Sequence, residues 1–123
     1  MYERKITQMN EFFDKRTEVC KAQEQALKED ARFDEAVFEK VKANVFEIFK
    51  TVLEAGVKTS KGDFTKLEEF FRGKLEQIPE NWRVSLRKAE ENDDTAKAYM
   101  ENIKLEVLGE IKATFDEIWG EQA

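Results

Sequence analysis

A chain of 123 residues, 41% apolar and 39% charged, suffices for one domain around a single core, and its ten Phe exclude a disordered chain. The formal net charge is −6, with net −7 over residues 90–123 against +3 over residues 56–89, and no basic stripe offsets it, which argues against nucleic-acid binding. No apolar run is long enough to enter a membrane, and the single Cys20 excludes an intrachain disulfide.

The opening MYERKITQMNEFF lacks a continuous apolar segment and a small-residue cleavage site, so it does not read as a secretory signal. A cytoplasmic protein is the simplest expectation. Spacing predicts a first helix over residues 3–29 with a seam of Ile6, Met9, Phe13, Cys20 and Leu27. Phe12, Val19 and Ala26 widen that seam, while Arg16 and Gln23 interrupt it with polar groups. Asp30 and Asp34 are two possible caps for a tight turn at Glu29–Asp34. Since no Gly or Pro stands there, one long kinked rod is the alternative.

The second helix is expected over residues 33–55. Phe38, Val41, Val45, Ile48 and Val52 recur at steps of three and four and read as its core face, widened by Phe49 and Leu53. Gly56 is the expected end, and GVKTSKGD over residues 56–63 reads as the clearest loop. Ser60 with Asp63, and Thr65 with Glu68, have capping-box spacing before a third helix carrying Phe64, Leu67, Phe71, Leu75 and Ile78. Pro79 stops that helix and suits the first turn of a short fourth one, expected to bury Trp82, Leu86 and Ala89. Asn92-Asp93-Asp94 caps a last helix that buries Met100, Ile103, Val107, Ile111 and Ile118, with Tyr99, Leu108, Phe115 and Trp119 alongside, and ends at Trp119-Gly120. The whole reads as one all-α domain over residues 1–123. Its expected architecture is an antiparallel up-and-down bundle of three long helices plus one or two shorter ones, with the fourth as a corner.

The chain contains no histidine. Imidazole acid–base catalysis, HExxH zinc sites and the Glu-x-x-His pairs of di-iron bundles are therefore excluded. Cys20, on a seam and without a histidine to activate it, reads as a small buried hydrophobe. GVKTSKGD has the wrong order for a phosphate-binding GxxxxGK[ST] loop, because Lys61 precedes the second glycine. Glu90, Asn92, Asp94 and Glu101 stand at calcium-loop spacing, but Thr95 occupies the position that needs Gly for the sharp turn. Neither catalysis nor a cofactor or metal is expected.

KAEENDDTAKAYMENIKLE, residues 88–106, is similar to the last helices of acyl-CoA-binding proteins, small cytoplasmic helical bundles. That family's tyrosine- and lysine-bearing signature on its second helix has no counterpart here, and the chain is not assigned to it.

Phe12-Phe13, Phe70-Phe71 and the neighbours Phe46 and Phe49 give each helix more apolar surface than one narrow seam needs. The surplus predicts contact with a protein partner or with a second copy, so a homo-oligomer is expected. The alternative is a Phe-lined core that takes a small apolar ligand such as an acyl chain. Trp82, with Arg83 and Arg87 beside it, and Trp119 form the candidate interaction surface, because tryptophan and arginine are enriched at binding hot spots.

Overall fold

A computed structural model describes residues 2–120, for Tyr2 the backbone alone. It contains five helices: α1 (Tyr2–Glu29), α2 (Phe33–Ser60), α3 (Phe64–Gln77), α4 (Glu80–Glu91) and α5 (Thr95–Gly120). The fold is the expected all-α antiparallel bundle. Three long helices are joined by two shorter ones, and no strand occurs among the described residues.

The short helices do not form a corner. Contacts to α5 step steadily along its length as the chain passes through α3 and α4. Phe64 meets Trp119, Phe71 meets Phe115, Arg72 pairs with Asp116, Glu76 with Lys112, and Lys104 lies over the ring of Trp82. The two helices therefore climb in one direction as a single third leg, interrupted at Pro79. Its missing N–H makes proline tolerable only where a helix begins, and the carbonyl of Pro79 accepts the first backbone bond of α4, from Arg83 at 3.0 Å. With α1, α2 and α5 as the other legs, the molecule is an up-down-up-down four-legged bundle.

Glu29–Asp34 is a hairpin turn, and neither aspartate caps it. Ala31 adopts the left-handed conformation (φ 57°), and Arg32 N–H donates back to the Leu27 carbonyl at 2.8 Å. That six-residue closure ends α1 as a Schellman motif with alanine where glycine is usual. Asp93 (φ 56°) plays the same part between α4 and α5, where Asp94 N–H reaches the Ala89 carbonyl at 2.8 Å. Asp94 and Asp63 are the side-chain caps, accepting from the backbone N–H groups of Lys97 and Lys66, each at 3.1 Å.

α2 does not stop at Gly56. It continues to Ser60, and the left-handed cap is Lys61. Gly56 is buried mid-helix because α3 crosses there. A Cβ on it would stand 2.8 Å from Leu67 Cδ1 and 2.8 Å from Phe70 Cδ2. The glycine that reads as a helix terminator is a close-approach residue instead.

The core is aromatic and lies toward the α2–α3 end. Phe49, Phe71, Phe115, Trp119 and Phe64 follow one another ring against ring, at centroid separations of 4.2–6.2 Å. Met9, Phe13, Phe46, Leu53, Leu67, Leu75 and Ile111 belong to the same buried cluster. Toward the opposite end, buried apolar positions are filled by Ala36, Ala43 and Ala89. Three carboxylates there are withdrawn from solvent, and each is paired with a lysine about one helical turn along. These are Glu24 with Lys28, Glu39 with Lys42, and Glu101 with Lys104.

Candidate interaction surface

α2 carries two apolar stripes, and the bundle uses one. Ala36, Ala43, Val45, Phe46, Phe49, Leu53 and Gly56 are buried. On the other side, at 3.6 residues per turn, Val37, Val41, Asn44, Ile48, Thr51 and Ala55 fall within about 80° of arc. No charged side chain interrupts that series. Phe33 extends it at one end and Val52 borders it.

Three of its large apolar side chains stand open to solvent: Phe33 is 61% exposed, Val37 46% and Ile48 41%. Val41 and Val52 are half-buried, while Asn44, Thr51 and Ala55 are exposed. An open groove lined by Asn44, Glu47, Ile48, Thr51 and Val52 follows the stripe.

The packing of α2 explains why this face stays open. α1 covers one flank, through Phe12 on the edge of Phe46 and the ion pairs Lys50–Asp14 and Lys21–Glu47. The third leg covers the other flank, through Phe71 and Trp82 on Phe49 and through the Gly56 crossing. α5 lies across the core. A helix at the corner of a four-legged bundle keeps one free arc, and on α2 that arc is neutral and largely apolar.

The sequence expectation is corrected here. Of the predicted core face, Val45 is buried, Phe38, Val41 and Val52 are half-buried, and Ile48 points outward. The true core face is rotated toward Phe46, Phe49 and Leu53. Periodicity detects a stripe but cannot rank two adjacent stripes on one helix.

The residues singled out from sequence do not converge. Trp119 is 3% exposed, stacked between Phe115 and Phe64, so its ring is core rather than surface. Trp82 is half-buried against Phe49, beside Lys104 and about four turns up α5 from Trp119. Arg83 is half-buried and pairs with Glu80 at 3.5 Å, and Arg87 is exposed. The aromatic doublets are largely consumed by packing as well. Phe13 and Phe71 are buried, and Phe12 and Phe70 are half-covered. The basic middle of the chain meets the acidic end within the same bundle, through Arg72 and Asp116 at 2.5 Å.

The calcium-loop spacing has no geometric counterpart. Glu101 is 4% exposed and faces inward, 2.8 Å from Lys104, whereas Glu90, Asn92 and Asp94 are exposed at the α4–α5 turn. Among the described residues, no group of three or more acidic or cysteine side chains is placed to hold a metal ion. Cys20 is fully buried, and burial pushes its thiol above the ordinary value of 9.0, away from the reactive thiolate. Glu39 and Glu101 are the interior carboxylates that sequence reading missed. Their signal was available: Glu39 stands seven residues before Phe46, and Glu101 seven before Leu108, both buried positions.

No family model matches the chain, and neither a curated protein nor a solved structure is significantly similar to it. Among the described residues, no helix is long and apolar enough to cross a membrane. Fold and surface together define a helical bundle with one uncovered helix face.

Proposed function

We propose that this protein acts by protein–protein contact through the outer face of α2, without catalysis of its own. The carrying observation is the uninterrupted neutral stripe from Val37 to Ala55, with Ile48 and Phe33 exposed at its middle and end. Leaving such side chains in water forgoes about 1.5–3 kcal/mol for each one that a partner would bury fully. A stripe of this length on one face is a patch rather than scattered exposure, and contiguous apolar patches mark contact surfaces. A buried free thiol and the lack of any disulfide suit a reducing cytoplasmic setting.

The test is a photo-reactive phenylalanine analogue placed at Ile48 and, as control, at Glu117 on the exposed side of α5. Irradiation at native concentration in extract should give a discrete cross-linked product from position 48 and none from position 117. An identical, diffuse pattern from both positions would contradict the reading.

A further inference from the structure

The outer face of α2 is self-complementary. Val37, Val41, Asn44, Ile48, Thr51 and Ala55 follow steps of four, three, four, three and four, the seam spacing of a two-stranded coiled coil. If a second α2 is laid against the first in the opposite direction, about a two-fold axis midway between Asn44 and Ile48 on the outer face, the seam closes on itself. Val37 then faces Ala55 of the other copy, Val41 faces Thr51, and Asn44 faces Ile48. The next layer outward at each end sets Asp34 against Lys58. On the flank beside α1, Lys40 of each copy comes opposite Glu54 of the other.

Of the charges on α2, those four are the ones the monomer leaves outside its ion pairs. Asp34, Lys40, Glu54 and Lys58 take part in none of the ion pairs among the described residues, although Glu47 on the same flank is already held by Lys21 at 3.3 Å. The antiparallel arrangement pairs each with an opposite charge, twice over by symmetry, and sets Glu47 beside its own copy, where Lys21 of each chain offsets the like charge. A parallel arrangement would set Asp34 on Asp34 and Lys58 on Lys58, and would give Lys40 and Glu54 no partner. Charge order along the face thus selects both the occupant and its direction. The face also points away from α1, α3, α4 and α5, so no element of either bundle stands between the two helices.

We propose that the occupant of this surface is a second copy of the chain, docked α2 to α2 in antiparallel register about that axis. The inference rests on the contact reading above and specifies its partner. A two-fold, self-matching patch of this kind closes after two subunits and does not propagate.

The experiment combines oligomeric state with register. Sedimentation equilibrium of the wild-type chain at tens to hundreds of micromolar should show a reversible dimer of twice the chain mass. Ile48→Asp should be monomeric with an unchanged far-UV spectrum, since the position is exposed. Lys40→Glu should weaken the dimer about tenfold, because two attractive pairs become repulsive, and Lys40→Glu with Glu54→Lys should restore it. For register, Val37→Cys and Ala55→Cys proteins should each stay monomeric under mild oxidation, while their mixture forms a disulfide-linked heterodimer. The wild type is the control, since Cys20 is buried.

A strict monomer across the concentration range overturns the proposal, as does self-linking of Val37→Cys, which is the parallel register. If the chain is monomeric while the probe at Ile48 still captures a different protein, self-docking fails and the broader contact reading stands. If position 48 captures nothing, both fail together.

Discussion

Cys20 shows how far a single residue's chemistry follows from its surroundings. Its side chain is buried, and desolvation raises the thiol above its ordinary value of 9.0 by disfavouring the anion. A raised value in the folded state means that the protonated thiol supports the fold. That contribution is full below the unfolded value and is lost as pH rises through the folded one. Two results should follow. A thiol reagent at neutral pH should react with the folded chain at a rate limited by opening, and promptly once denaturant is added. As pH rises above about 9 the unfolding free energy should decline more steeply in the wild type than in Cys20→Ala, which has nothing to ionise there. Sequence allowed this reading, because a lone cysteine on a seam with no histidine in the chain has few other fates. Ala31 is the opposite case. Its left-handed conformation makes the α1–α2 hairpin, yet alanine carries no mark of that role, so a kinked rod and a turn were indistinguishable by residue type.

Among the elements, α2 and α3 show why a glycine cannot be read without its neighbours. Gly56 follows an apolar run and resembles a terminator, but the helix passes through it because α3 needs the space. Gly73 and Gly109 also lie inside helices, in α3 and α5, and a Cβ at either would meet nothing within 4 Å. The same substitution should therefore change sign along the chain. Gly73→Ala and Gly109→Ala should each stabilise by about 0.5–1 kcal/mol, through helix propensity alone. Gly56→Ala gains the same propensity but forces Leu67 and Phe70 apart, and overpacking of this kind costs about 1–3 kcal/mol. Its denaturation midpoint should fall below the wild type's while those of the other two rise. The helix count, the Pro79 break and the α5 boundary were all legible, since each depends on local chemistry. The direction in which α4 continues was not, because it is fixed by contacts with α5 that span more than twenty residues.

For the whole molecule, the sequence suggested surplus apolar surface and placed it on other side chains than those the bundle leaves open to solvent. Ten Phe and adjacent aromatic pairs suggested more apolar surface than a monomer needs. The bundle absorbs most of the aromatics by stacking Phe49, Phe71, Phe115, Trp119 and Phe64 in its interior. Apart from Phe33 and Tyr99, what remains outside is aliphatic and neutral, along Val37, Val41, Ile48 and Ala55. That stripe stayed hidden because Val41 and Ile48 were already credited to the core, and only the positions of α1 and the third leg around α2 reveal which arc is left over. The charges bordering it have the same character. Lys40, Glu54, Asp34 and Lys58 look like ordinary surface residues until the ion pairs of α2 are laid out and these four of its charges are left aside.

The proposed contact role requires that the outer face of α2 be covered in the working protein. Lysine acylation measures it directly, since Lys40 and Lys58 border the stripe and Lys97, at the start of α5, lies away from it. Labelling should be followed at nanomolar concentration in buffer and again at native concentration in extract. Lys40 and Lys58 should be acylated several-fold more slowly in extract, while the rate at Lys97 is unchanged. Rates at Lys40 and Lys58 that do not change between buffer and extract would mean that nothing covers the face, and the contact role would fail.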